Sequence, residues 1–307
     1  MTKTAPAESS TSEFEHEPVP QSHRKSLFTV SAVWFGFPMI LTNAVPGGLV
    51  VAMLGFWPGV GAILTANAIM FVYVSLLSWR AGRTGKSFSL QATETFGTAG
   101  YAIASGFLST VVVGWFAFNT GATGDSLSTA FGWNETLVAG LAGLVFIAVT
   151  YLGIRALSVL GSIAAPLFIA AVIIAITIAA QNHDFSAVFG YHGVGGGAMS
   201  FGVAVTAIMA TFADSGTMTA DFTRWARNGK EAVIATVTAF PVASLVAQLS
   251  GALFVAAGAI AEPAVNGGNF APILTSTRNP LLDVFLLLFV VINLGSVCTH
   301  CLYNGAL

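Results

Sequence analysis

Residues 26–79 read SLFTVSAVWFGFPMILTNAVPGGLVVAMLGFWPGVGAILTANAIMFVYVSLLSW, and between Lys25 and Arg80 there is no Lys, Arg, Asp or Glu. At ~20 residues per crossing, this run is long enough for two membrane spans. A soluble fold would interrupt it with charges on its water-facing sides. Further uncharged gaps lie at 95–124, 136–154, 156–183, 185–213 and 232–261, in a chain that is 55% hydrophobic and 8% charged. The pattern predicts eight transmembrane helices, at about 28–54, 57–79, 99–131, 135–153, 157–181, 197–225, 231–260 and 281–305. The fold class is therefore an all-α integral membrane protein.

Charge orients these spans. With the N-terminus in the cytoplasm, Lys3, Arg24, Lys25, Arg80, Arg83, Lys86, Arg155, Arg224, Arg227 and Lys230 all fall on the cytoplasmic side, and only Arg278 lies outside. The reverse topology would put those ten charges on the wrong face. The reading is a multi-pass protein of the cell (inner or plasma) membrane with a cytoplasmic N-terminus. Residues 1–26 carry Glu8, Glu13, Glu15 and Glu17 among Ser and Pro, and read as a disordered cytoplasmic tail. The tail lacks the basic region, short apolar stretch and small-residue cleavage site of a signal peptide, so the first helix serves as the insertion signal. A net charge of -2 and the lack of a basic surface exclude nucleic acid as a partner.

Three local motifs carry less than they suggest. Cys298-Thr299-His300-Cys301 falls short of a tetrahedral zinc set, and neighbouring helical positions point in different directions, so these are packing residues of a helix. Gly82-Arg83-Thr84-Gly85-Lys86-Ser87 ends like a phosphate-binding loop, but Arg80 stands where the first glycine belongs and a membrane helix precedes it. It reads as a short basic loop. Asn134-Glu135-Thr136 is a formal glycosylation sequon on the outer face. No nucleophile and base pair, metal set or phosphate loop supports an enzyme.

The first span carries Gly36-Phe37-Pro38 and then Pro46-Gly47-Gly48, while the sixth carries Asp214-Ser215-Gly216-Thr217 after the flexible Gly195-Gly196-Gly197. Such interruptions free backbone N–H and C=O groups, which is tolerable only where protein or a water-filled cavity receives them. The plainer reading is a kink or close packing. Two breaks at matched positions, one in a span entering from inside and one in a span entering from outside, instead suggest the inverted repeats of a secondary transporter. On that reading the first repeat covers about 27–182 and a partial second repeat about 196–307 of a transporter domain at 27–307.

Asp214 is the sharpest single residue, because a carboxyl near mid-span costs ~2.5–3.5 kcal/mol on insertion scales. It is expected to hold a proton, pair with a cation or accept from a substrate N–H, against the alternative of bonding to Ser and Thr neighbours. Asp125, Asp221 and Asp283 lie nearer helix ends and read as structural. Trp115 and Asn119 are one helical turn apart at the middle of the third span, placing a stacking surface beside an amide. Phe212 would form the opposite wall of a slot for a flat ring. Aromatics facing lipid or the core are the alternative, weaker for Trp115 because Trp prefers the membrane interface.

At these residues the chain resembles the nucleobase:cation symporters, the family of cytosine permeases and of allantoin and hydantoin transporters. The resemblance rests on Pro18-Val19-Pro20-Gln21-Ser22 with Arg24-Lys25, on Val113-Gly114-Trp115-Phe116, on Gly153-Ile154, Ala156-Leu157 and Val159-Leu160, and most specifically on Gly216 to Phe222 with Arg224 and Arg227-Asn228. It implies a LeuT-like inverted-repeat fold, with about eight of an expected ~12 helices present, as in a truncated member. It also implies Trp115, Asn119, Thr211, Phe212 and Asp214 as substrate-binding residues. Gly36 and Met39 would offer carbonyls, and Ser296 a hydroxyl, to a coupling sodium. Val112, Asp214 and Val297 depart from the cytosine-permease pattern, which leaves proton coupling through Asp214 and His300 as the competitor. The implied activity is import of a planar nucleobase or related ring, such as cytosine, a purine, allantoin or a hydantoin, driven by a sodium or proton gradient and needing no cofactor beyond that ion. The alternative is a ligand-binding or sensing membrane protein, or a non-transporting fragment of such a permease.

Overall fold

A computed structural model describes Phe14, residues 16–194 and residues 199–306. The expected Gly195–Gly197 hinge, most of the N-terminal tail with Lys3, and Leu307 lie outside the described residues. The helices in chain order are α1 (Leu27–Gly36), α2 (Leu41–Leu54), α3 (Phe56–Thr84), α4 (Phe88–Phe131), α5 (Glu135–Thr150), α6 (Gly153–Ala179), α7 (Phe201–Ala210), α8 (Ala213–Thr217) and α9 (Thr219–Thr223). They continue as α10 (Gly229–Val237), α11 (Ser244–Ala256), α12 (Pro263–Asn266), α13 (Ala271–Thr275) and α14 (Pro280–Ala306). Five helical stretches are long and apolar enough to cross a membrane, α10 with α11 counting as one, and two bent pairs pass the same test when taken together: α1 with α2, bent by 57°, and α7 with α8 and α9, bent by 56°. That gives up to seven spans among the described residues, and α5 is a shorter apolar helix beside them. Leu76 is 68% and Phe107 72% exposed, as side chains facing lipid tails would be.

Helix starts follow local chemistry. Ser26, Ser87, Asn134, Ser200 and Asn228 cap α1, α4, α5, α7 and α10, each side chain accepting from a backbone N–H of the first turn. The breaks are also satisfied. Pro38 has no N–H to continue α1. Asn293 of α14 serves the freed backbone on both sides, donating to the Met39 carbonyl at 2.8 Å and accepting from Leu41 N at 2.8 Å. Asn43 donates to the Pro38 carbonyl at 2.7 Å. At the second break Phe212 leaves the helical region with φ -141° and ψ 13°, and the Tyr73 hydroxyl from α3 donates to the Ala213 carbonyl.

Small residues let the broken spans approach their neighbours. A Cβ on Gly36 would lie 2.5 Å from Gly161 Cα, so α1 and α6 meet backbone to backbone. On Gly251 of α11 it would lie 2.0 Å from the Ala44 carbonyl oxygen of α2. A buried amide chain adds a link between α2, α11 and α3. Gln248 donates to Asn43 Oδ1 at 3.0 Å and accepts from Asn67 Nδ2 at 2.7 Å.

The structure corrects several expectations. The third span runs to Phe131 as expected, and a further helical segment from Phe88 precedes it, set off by the break at Gly97, whose φ is +71°. The expected basic loop shrinks to three residues, because α3 runs to Thr84 and Ser87 already caps α4. The seventh span is interrupted by a wide turn over Thr238–Ala243 that contains Pro241, and it ends at Ala256. Parts of the expected solvated tail pack instead, although residues 16–18, 21 and 22 stay exposed. Phe14 and Val19 are buried with Val30, Trp225 and Ala226, Lys25 N donates to the Trp225 carbonyl at 2.7 Å, and the Arg24 guanidinium serves the carbonyls of Val19, Gly82 and Ala226. These contacts draw the basic segments around residues 24, 82 and 226 to one end of the bundle. Composition hid this, because a single Phe and Val among acidic residues read as solvated.

Candidate functional site

Both breaks open onto one cavity of about 170 Å³. By the same measure a single water needs only ~10–15 Å³, so the space suits a small ligand. α2 contributes Thr42, Asn43 and Pro46, α4 contributes Trp115, Phe118 and Asn119, and the α7–α8 junction contributes Thr211, Phe212 and Ser215. Phe37, Val297 and Cys301 complete much of the rest.

Four of the expected substrate residues, Trp115, Asn119, Thr211 and Phe212, thus share this wall. Trp115 is half-buried and meets Phe118 edge to face at 5.7 Å. Phe212 is 5% exposed and braced edge-on by Phe37 at 5.4 Å and Phe240 at 5.5 Å, which fixes its ring plane. Asn119 is held at both ends of its amide: Nδ2 donates to the Trp115 carbonyl at 2.9 Å, and Oδ1 accepts from the Thr42 hydroxyl at 2.7 Å. Thr211 donates its hydroxyl to the Ile208 carbonyl at 2.7 Å.

Asp214 does not line the cavity; Ser215 does. The break at Phe212 turns residues 211, 212 and 215 inward and leaves Asp214 about a quarter-turn away, beside the Trp115 indole and the Tyr73 hydroxyl. Its Oδ1 accepts from Ser215 Oγ at 3.5 Å, and Oδ2 is buried without a hydrogen-bond partner among the described residues. Asp221 accepts from Phe88 N at 2.8 Å and so ties α9 to the start of α4.

Two of the expected ion residues, Gly36 and Met39, flank the first break, and Ser296 lies one helical turn beyond Asn293 of α14, which bonds there. Ser296 Oγ is buried and finds no partner among the described residues, whereas the Met39 carbonyl is already engaged by Asn293. Gly36 sits against Gly161. Val297, which follows Ser296 in α14, lines the cavity. Of the Cys-Thr-His-Cys run, both thiols are buried and free, and His300 sets its ring nitrogens against the Ser296 and Val33 carbonyls. Among the described residues no group of three His, Cys, Asp or Glu gathers as a metal site would.

Sequence reasoning missed Thr42, Asn43, Asn293 and Tyr73. The signal for Thr42 and Asn43 was a polar pair lying between two prolines, and for Asn293 an amide inside an apolar run. Tyr73 carried none, since only the fold brings it to the Ala213 carbonyl.

Residues 18–304 match the family described as permease for cytosine/purines, uracil, thiamine, allantoin. The chain belongs to this permease family. The cytosine permease of Escherichia coli (strain K12) is 30% identical over 259 residues, covering 81% of this chain and 59% of the relative. The purine-uracil permease NCS1 of Arabidopsis thaliana is 28% identical over 109 residues, covering 35% of this chain and 18% of that protein. The chain thus spans 59% of the length of the cytosine permeases that it matches. Among solved structures, the nucleobase-cation-symport-1 family transporter Mhp1 in a closed conformation with bromovinylhydantoin bound superposes with a TM-score of 0.76 at 16% identity, covering 95% of this chain and 69% of that one. Its inward-facing conformation gives 0.69 at 19% identity, covering 92% and 64%. The permease fold here is accordingly the LeuT-like, inverted-repeat fold of Mhp1, and the chain is a multi-pass membrane protein.

Proposed function

We propose that this permease-family chain carries the substrate and cation path of a secondary active symporter that imports a planar nucleobase or related ring, such as cytosine, a purine, allantoin or a hydantoin. The observation that carries the reading is the position of the cavity, bounded by both helix breaks and walled by Trp115, Asn119, Thr211 and Phe212. Trp115 offers a face for stacking, worth ~1–3 kcal/mol per base. Phe212, braced by two further rings, sets the slot's other side. Polar side chains of α2, α4 and the α7–α8 junction read the ring's edge. Asp214 acts from behind Trp115, positioning the indole.

The driving ion is sodium or a proton. In favour of sodium, the Ser296 hydroxyl is buried without a partner among the described residues, one helical turn from Asn293, which bonds the Met39 carbonyl at the first break. Release of the Met39 carbonyl by Asn293 would complete the oxygen set, linking cation entry to movement of α14 against α1 and α2. The N-terminus is cytoplasmic and the membrane is the inner or plasma membrane, as the basic residues gathered at one end support.

The test is binding and uptake of radiolabelled cytosine, uracil, hypoxanthine, allantoin and hydantoin by the purified chain in liposomes, under sodium and proton gradients separately. Concentrative uptake of one ring under one gradient supports the reading. Binding without accumulation favours a ligand-binding protein, and binding of none of the rings overturns the assignment.

A further inference from the structure

The Asn119 amide has a determined orientation. The Trp115 carbonyl oxygen, 2.9 Å away, only accepts, so the atom facing it is the amide nitrogen and the atom facing Thr42 is Oδ1. Oδ1 also only accepts. The Thr42 hydroxyl, 2.7 Å from it, therefore donates its single proton there and keeps only lone pairs for anything else. Asn119 is 1% exposed, whereas Thr42 is only half-buried, and both border the cavity. Of the pair, Thr42 is the atom set that a ligand reaches more readily.

The geometry points to Thr42 as the specificity-determining residue of the cavity: its hydroxyl, held acceptor-only by Asn119, selects a ring that presents an N–H. Asn119 is then a positioning residue for Thr42 more than a reader of the ring. This rests on the proposed role of the cavity as the ring site. The consequence for substrate class is specific. A lactam or ureide ring with an N–H toward α2 is accepted. A ring with an oxygen at that place sets lone pair against lone pair and is rejected, because the hydroxyl cannot reverse its polarity without breaking the bond to Asn119.

The experiment uses the full chain in lipid nanodiscs and calorimetric binding of three probes: hydantoin, 2,4-oxazolidinedione, in which a ring oxygen replaces one N–H, and 3-methylhydantoin, in which the other N–H is blocked. Wild type is expected to prefer hydantoin to at least one of the two by about tenfold. Thr42→Val, close in shape but without the hydroxyl, should bring that ratio near one by weakening hydantoin, and Thr42→Ser should restore it. Thr42→Ala gives the same readout should the valine variant fold poorly. A Thr42→Val protein that keeps its full preference would assign the acceptor to another atom and overturn the inference alone. Wild type that binds none of the three probes would overturn the ring-site reading and the inference together.

Discussion

Replacing Gln248 by Leu tests whether the buried amide chain holds the cavity wall. Gln248 is 1% exposed and bridges two residues that are each 2% exposed, Asn43 of α2 and Asn67 of α3. The substitution keeps most of the side-chain volume, so the cost comes from hydrogen bonding. Asn43 Oδ1 loses its donor at 3.0 Å, while Asn67 Nδ2 loses Gln248 at 2.7 Å but retains the Ile63 carbonyl at 2.9 Å. A buried polar group stripped of its partner costs ~1–3 kcal/mol, so one full and one partial loss together come to about 2–4 kcal/mol. Ser250→Ala on the same helix is the control: Ser250 bonds only to its own helix at the Val246 carbonyl, and its loss should cost less than about 1 kcal/mol. The assay is denaturant unfolding of the purified chain in mixed micelles, followed by tryptophan fluorescence. Adding Asn67→Leu to Gln248→Leu should cost less than the sum of the two single changes, because one orphaned partner disappears. Hydantoin affinity should fall as well, since Asn43 lines the cavity. If Gln248→Leu is no more damaging than Ser250→Ala, the amide chain does not hold α2 to α3 and α11.

Trp115→Ala should weaken ring binding by about 5- to 150-fold, the equivalent of ~1–3 kcal/mol of stacking, while membrane insertion judged by protease protection stays unchanged. Unaltered affinity would remove the stacking slot. Ser296→Ala should abolish any sodium stimulation of ring binding, and an equal sodium response in the variant would take Ser296 out of the cation path. Gly251→Val should destabilise the fold by about 1–3 kcal/mol, because a Cβ there would stand 2.0 Å from the Ala44 carbonyl oxygen, a contact that backbone alone must relieve. Asp214→Asn should affect ring affinity less than Trp115→Ala does, since Asp214 stands outside the cavity; a larger effect would return it to the binding surface.

Much was readable from one dimension because the bilayer constrains composition so strongly. Long uncharged runs, flanking Lys and Arg, and Pro and Gly inside spans report directly on insertion and on backbone that must be served elsewhere, and the all-helical membrane architecture and both breaks followed from them. The helical segment from Phe88 to the break at Gly97 was missed because its charged and polar residues resemble a loop. Phe14, Val19 and Arg24 were read as part of a solvated tail, since their packing depends on the Arg24 guanidinium meeting carbonyls of segments about 58 and 202 residues away, and no local pattern encodes that.

The cavity shows the division most clearly. Residue chemistry and spacing alone brought Trp115 and Asn119 onto one face of one helix, and they placed Phe212 and Asp214 together at a break. Which of those two faces the cavity depended on the backbone angles at Phe212, whose rotation admits Ser215 and turns Asp214 aside. Likewise a Thr in an apolar stretch says nothing about hydrogen-bond polarity until an amide from another helix, itself anchored by a carbonyl, takes its only proton. Membrane insertion and helix breaks are properties of the chain's own covalent order, whereas the direction of a side chain and the sign of a hydroxyl's hydrogen bond belong to contacts that exist only after α2, α4 and α8 have packed.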